Sequence, residues 1–165
     1  MILKIGLNVQ KDISKNLISD IKKLTKTDVL VGIPAQGSTR QDDGANNALI
    51  GYILENGDPE RNLPARPFLV PGVDAASEEV GKRLTKAADA ALDGRQEAID
   101  TQLRAAGMVA ESSVKLTITN GEFAPLSERT LKERKKRGRS GEKPLIDTGQ
   151  LRRSVTHIVR KKGQK

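Results

Sequence analysis

Cysteine and tryptophan are absent from this chain of 165 residues, and one tyrosine and two phenylalanines are its only aromatic side chains. The absence of cysteine excludes disulfides and thiolate chemistry, and it fits assembly in a reducing cytoplasm. Leucine, isoleucine, valine and alanine must therefore supply nearly all of the buried apolar area. No apolar run approaches the roughly 20 residues of a spanning helix and no signal peptide is recognisable, so we expect no contact with a membrane.

The usual sequence marks of catalysis are missing as well. One histidine, His157, and no cysteine argue against the usual zinc ligand sets and the Cys/His or Ser/His nucleophile arrangements; we predict that His157 is an ordinary surface residue. Residues 138–143 (GRSGEK) lack both the spacing and the preceding strand of a phosphate-binding loop. The carboxylate pairs at 42–43 and 78–79 have no apolar setting that would shift a pKa. We predict that the chain is not an enzyme and holds no cofactor or metal.

The positive charge of the chain is concentrated in its last part. The formal net charge is +8, yet residues 1–128 hold fifteen Lys/Arg against eighteen Asp/Glu, whereas residues 129–165 hold fourteen against three. A segment of such composition is either a solvated charged loop or a surface for an anionic partner, such as DNA or an acidic protein.

Residue patterning predicts one domain, 1–165, of the α+β class. Its small mixed or antiparallel sheet is packed by helices, with one long helix and an extended basic loop. Apolar residues alternate with polar ones over 3–9, which predicts a strand with one buried face. The apolar run 29–33 predicts a second, more central strand, and the β-branched stretch 154–160 predicts a third.

Helical spacing of apolar residues appears in three further places. Residues 13–24, following Asp12 as a possible N-cap, and residues 45–54 each predict an amphipathic helix. A longer stripe runs from 74 to 110 across Asp93-Gly94, and we interpret it as one bent helix. The stretch 114–118 fits either the end of that helix or a short strand.

Three segments lie between these elements, and two of them, 35–44 and 127–143, are predicted to be loops. Residues 35–44 contain no apolar side chain larger than alanine, which predicts a flexible surface loop. The segment 63–71 (LPARPFLVP) has three prolines, which make its backbone stiff. We expect the Phe68 side chain to be buried in the core, and the Arg66 guanidinium could donate two hydrogen bonds to a carboxylate. Residues 127–143 are predicted to form the extended basic loop, because like charges oppose packing. After it, Thr148 is expected to cap a single helical turn.

Two groups of motifs carry a resemblance to a known family. Residues 123–130 (FAPLSERT) are followed by 144–154 (PLIDTGQLRRS), and the upstream run 31–69 contains GIP, NA, ENG and PARPFL in that order. In this order the motifs resemble those of the neck, tail-completion and virion-morphogenesis proteins of tailed bacteriophages. They cover most of the chain.

The resemblance implies a structural virion protein at the neck or upper end of the tail. Such a protein acts in tail completion and head-tail joining as one subunit of a ring, a hexamer, around the DNA channel, after assembly in the host cytoplasm. The implied partners are copies of the chain itself, the connector or stopper on the head side, and the tail terminator or tube on the other. Alternatives are a tail terminator ring protein and a basic nucleic-acid-binding module.

Two sets of residues are the predicted contact sites. The assembly interface is predicted to contain Glu55, Arg66, Pro67, Phe68, Leu145, Asp147, Thr148 and Leu151. Contact with channel DNA or with an acidic partner is predicted for Lys132, Arg134, Lys135, Lys136, Arg137 and Arg139.

Overall fold

The computed structural model describes residues 14–40 and 44–163 of the chain. Its elements are α1 (Ser14–Thr25), β1 (Thr27–Gly32), α2 (Asn47–Asn56), a 3₁₀ turn (Pro59–Arg61), α3 (Leu69–Ala75), α4 (Ser77–Leu92), α5 (Gln96–Asn120), α6 (Glu128–Lys136), α7 (Gln150–Ser154) and β2 (Thr156–Lys161). The α+β class with one long helix, α5, is confirmed. The strand predicted at 3–9 and the cap at Asp12 lie outside the described residues. No described helix is long and apolar enough to cross a bilayer.

Helices α4 and α5 form a hairpin, so the prediction of one bent helix over 74–110 was wrong. The chain leaves the helix after Leu92 and turns at Gly94, whose φ of +69° is a left-handed conformation that residues with a Cβ rarely adopt. The second helix then packs back on the first. The contact is built mainly from small side chains, with Ala87, Ala90 and Ala91 of α4 facing Ile99 and Leu103 of α5.

Strands β1 and β2 pair antiparallel, with Thr27 opposite Lys161 and Gly32 opposite Thr156. The strands predicted at 29–33 and 154–160 are thereby confirmed, with shifted ends. The sheet lies on α5, and β2 approaches that helix closely at Gly107, where a Cβ atom would overlap the imidazole of His157. Glycine is required there by the contact between helix and strand.

A second core cluster surrounds the C-terminal half of α5. Phe68 is 1% exposed, as the sequence predicted, and Val114 is fully buried. Because the stretch 114–118 is helical, its apolar residues share one face with the rest of α5. The buried members of this cluster are Phe68, Val114, Ile118, Leu145, Leu151 and Val155.

The segment 35–44 and the turn at 148 differ in detail from their predictions. Ser38 is buried, and its hydroxyl donates a hydrogen bond to Oδ1 of Asn46 at 2.9 Å, the oxygen that also caps α2. The mobility of this loop stays a prediction. The cap predicted at Thr148 was wrong. The residue before α7 is Gly149, whose backbone is left-handed, and no side chain caps the helix.

Candidate functional site

Arg66 joins two of the motif segments. Its Nε donates to the carbonyl of Ala124 at 2.7 Å, and its Nη2 donates to the carbonyl of Pro125 at 2.9 Å. Arg66 is 5% exposed; burial lowers the pKa of its guanidinium, as does the positive charge of Arg134 nearby. The carboxylate partner predicted for Arg66 was wrong, because the two donors of the guanidinium fork also fit consecutive backbone carbonyls. Its guanidinium therefore faces inward.

Glu55 joins α2 to the start of α3. Its Oε2 accepts hydrogen bonds from the backbone N–H groups of Phe68 and Leu69 at 2.7 and 2.8 Å, and its Oε1 accepts one from Val70 at 3.0 Å. The first N–H groups of a helix have no partner within the helix, and this end of the helix dipole favours a negative charge. The carboxylate predicted as an interface group thus lies against its own chain.

The predicted basic loop at 127–143 is helical over its first half, as α6. Ser127 caps this helix by accepting a hydrogen bond from the N–H of Thr130 at 3.3 Å. Lys136 pairs with Glu133 at 3.2 Å, one turn apart, and the cationic last turn suits the C-terminal end of the helix dipole. The extended conformation was therefore wrong for residues 128–136, because the repulsion among the cations is offset locally.

Arg134, on α6, binds the loop that follows this helix. It is 8% exposed, and its Nε lies 3.5 Å from the Asp147 carboxylate. Four backbone carbonyls accept hydrogen bonds from its guanidinium at 2.8 to 3.3 Å, those of Gly141, Lys143, Pro144 and Ile146. Arg134 is consequently not part of an exposed basic surface, which corrects its predicted role as a partner contact.

The remaining residues of the predicted sites divide between the interior and the surface. Asp147 forms an ion pair with Arg139 at the rim of this loop. Pro67 is exposed, Thr148 is half-buried, and Leu145 and Leu151 belong to the core. We call three segments the interlocked loops: 64–69 and 123–126, which Arg66 joins and Glu55 holds to α2, and 141–147, which Arg134 holds to α6.

Four predicted contact residues are exposed together on or beside α6. Lys132 lies 4.0 Å from Glu128, and Lys136 pairs with Glu133. Lys135 and Arg137 form no ion pair within the described part of the chain. We call this set, Lys132, Lys135, Lys136 and Arg137, the α6 basic face.

No family model, curated protein or solved structure matches this chain. The phage resemblance therefore rests on its motifs alone and stays a hypothesis.

One polar cluster was missed by the sequence analysis. Nδ1 of His157, on β2, lies 2.6 Å from Oε2 of Glu111 on α5, and Lys115 pairs with the other oxygen of that carboxylate. Burial raises the pKa of Glu111, but hydrogen bonds from Lys115 and His157 and their charges outweigh burial and lower it overall. The spacing of Glu111 and Lys115 indicates a helical pair, whereas the histidine partner depends on how β2 packs.

No group of three or more histidine, cysteine, aspartate or glutamate residues that could hold a metal ion occurs in residues 14–40 and 44–163.

Proposed function

We propose that this chain is a structural protein of a tailed-phage virion, located at the neck or upper end of the tail. It would complete the tail and join it to the head as one subunit of a ring around the DNA channel. The observation that carries the proposal is that the motifs behind the resemblance contact one another. Arg66 binds the 123–126 segment, Glu55 binds the N–H groups of 68–70, and Leu145 and Leu151 of the last motif share a core cluster with Phe68.

This interlocking supports a role in assembly rather than in catalysis. Buried arginines and a capping carboxylate hold irregular backbone in one conformation, so the loops are fixed before any partner arrives. A surface that is fixed in the free subunit loses little conformational entropy when it binds. The basic segment fits the same scheme, because α6 is a folded helix that docks as a rigid face instead of a chain that orders on assembly.

Exposed apolar side chains offer a surface for contact between copies. Leu49 and Tyr52 on α2 are 60% and 68% exposed, and Val70 on α3, beside the Glu55 contact, is 60% exposed. Tyrosine is enriched in protein interfaces. We expect this surface to contribute to ring formation and the α6 basic face to contact channel DNA or an acidic neighbour in the neck.

The proposal is tested in the phage that encodes the chain. We expect loss of the protein to leave filled heads and separate tails in electron micrographs, and a supplied wild-type copy to restore infectious particles. The charge reversal Lys135→Glu, Lys136→Glu and Arg137→Glu should block joining while the protein stays folded. The matched control reverses three exposed cations elsewhere, Arg61, Lys82 and Lys86.

Normal infectious yield without the protein would overturn the proposed function. Normal yield with the α6 reversal alone would overturn only the role of the α6 basic face. Light scattering of the purified protein over a range of concentrations tests for the ring. Labelling the protein in intact particles separates a neck position from that of a tail terminator.

The α6 basic face also favours a second candidate, a basic nucleic-acid-binding module. This candidate lacks aromatic side chains interleaved with the cations for stacking on bases. A nanomolar, salt-dependent affinity for duplex DNA, together with normal phage particles in the absence of the protein, would favour it.

A further inference from the structure

Five lysines from distant parts of the sequence meet beside the sheet. Lys22 and Lys23 lie in the last turn of α1, Lys26 follows that helix, and Lys161 and Lys162 lie at and just after the end of β2. The backbone N–H of Lys162 donates to the carbonyl of Lys26 at 2.7 Å, which brings the two ends together. With the start of α5, all of them except Lys162 line a groove of about 690 Å³, and Lys162 directly follows Lys161. We call these five residues the lysine groove.

The lysine groove is separate from the α6 basic face. Nζ of Lys23 lies 3.4 Å from Oε1 of Gln96, the first residue of α5. The loop held by Arg134 lies at the other end of that helix, where Nζ of Lys143 donates to the carbonyl of Thr119 at 2.8 Å. A helix of 25 residues is about 37 Å long, so the two groups of cations occupy opposite ends of α5.

Stabilising interactions within the chain explain the positions of only some of these lysines. The dipole of α1 favours Lys22 and Lys23 at its C-terminal end, but it doesn't explain cations on a neighbouring strand. Lys23 lies 3.5 Å from Asp20 and Lys162 lies 3.9 Å from Asp28. Within the described residues, Lys22, Lys26 and Lys161 form no ion pair, and all three are exposed. Their mutual repulsion would be relieved by an anionic ligand.

We propose that the lysine groove binds the phosphate groups of a nucleic acid backbone. All five cations are lysine, whose compact ammonium binds phosphate as a point charge and imposes no fixed geometry on the ligand. The groove lining, which includes Ile18, Thr27 and Asp100, contains no aromatic side chain for stacking on a base. Binding is therefore independent of base sequence and strongly dependent on salt.

The test is a fluorescence titration of labelled 30-base-pair duplex DNA, about three turns, with the full chain at about 50 and about 200 mM salt. The variant replaces Lys22, Lys26 and Lys161 with glutamine. We expect its affinity at the lower salt to fall about tenfold or more, and its salt slope to become shallower by about one unit per lysine. The matched control, with Arg61, Lys82 and Lys86 changed to glutamine, removes the same charge outside the groove and should bind as the wild type does.

Three outcomes would overturn the proposal: no DNA binding by the wild type, equal affinity and slope in the groove variant, or an equal loss in the control. A parallel titration with polyglutamate separates phosphate from carboxylate ligands. If the groove variant loses polyglutamate binding as strongly as DNA binding, an acidic protein is the better partner and the assignment to phosphate is wrong. Circular dichroism and thermal unfolding verify that each variant is folded. None of these outcomes depends on the proposed place in a virion.

Discussion

The α4–α5 hairpin and the interlocked loops are held together by different physics. In the hairpin, regular helices bury alanines against Ile99 and Leu103, and the backbone hydrogen bonds lie within each helix. In the interlocked loops, the backbone is irregular and its carbonyl groups are satisfied by buried guanidinium groups, those of Arg66 and Arg134. The hairpin is stabilised by close packing of small apolar residues, and the loops by a few charge-assisted hydrogen bonds.

This difference determines how each region responds to change. Apolar burial is spread over many contacts, so a single substitution in the hairpin removes or crowds only a part of it. The polar contacts of the loops converge on single buried residues, and removal of one such residue breaks several charge-assisted hydrogen bonds at once. We therefore expect the loops to be the more sensitive region, although the hairpin contains more of the regular structure.

The substitution Arg134→Met should have the largest effect. It keeps much of the apolar stem but removes the guanidinium, which donates to the carbonyls of Gly141, Lys143, Pro144 and Ile146. The loss of several charge-assisted hydrogen bonds from one buried group predicts a loss of about 3 kcal/mol in the free energy of unfolding. Urea denaturation measures it. The neighbouring exposed change Lys135→Met should stay within about 0.5 kcal/mol of the wild type.

The variant Arg134→Lys sharpens this test. An ammonium group retains the charge but cannot span four carbonyls from one planar fork, so we expect an intermediate loss. A loss below about 1 kcal/mol for Arg134→Met would show that solvent satisfies the loop carbonyls and that the contrast between the two regions is wrong.

The Ala87→Leu variant tests the hairpin with a smaller expected effect. Ala87 is fully buried between the two helices, and a larger side chain must displace Ile99, Leu103 or the backbone. Overpacking of this kind costs about 1 to 3 kcal/mol, and we expect about 2 kcal/mol here. On the same helix, Ala88→Leu is exposed and should leave the urea midpoint nearly unchanged. Equal stability of Ala87→Leu and Ala88→Leu would mean that the hairpin is loosely packed.

The same contrast explains how far the sequence could predict the fold. Periodicity identified the stripe of Ala87, Ala91, Ile99 and Leu103 correctly, because a helix repeats the same geometry at each turn. Periodicity did not predict the reversal of the chain at Gly94. A glycine inside a helix and a glycine at a turn differ only in backbone conformation, which the sequence does not show. The α6 helix was missed because like charge was given more weight than the capping by Ser127 and the acidic residues one turn away.

The contacts of the candidate site were less accessible from sequence. The Pro-rich and turn-rich motifs indicated which segments are fixed, and Phe68 was predicted to be buried. The partners of Arg66 and Arg134 are backbone carbonyls, which every residue possesses, so no side-chain pattern marks them. Pairs such as Glu111 with His157 require the packing of β2 on α5, a relation between positions 46 residues apart.

The smallest effect is expected at Glu111, which makes a polar contact between α5 of the hairpin and β2. Its carboxylate is partly exposed and interacts with Lys115 and His157. Because its pKa in the folded protein lies below the ordinary value of 4.5, ionised Glu111 stabilises the fold above that value. As the pH falls through the folded pKa, the carboxylate is protonated and this stabilisation is lost.

The variant Glu111→Gln should therefore melt at a lower temperature than the wild type near pH 7, and the difference should shrink as the pH falls below about 4. Thermal unfolding by circular dichroism between about pH 7 and about pH 3 measures both curves. Glu142→Gln, in the exposed part of the loop after α6, is the control and should follow the wild type at every pH. A difference that stays constant down to the lowest pH would show that Glu111 stabilises the contact between α5 and β2 by packing, since a contribution from its charge must disappear when the carboxylate is protonated.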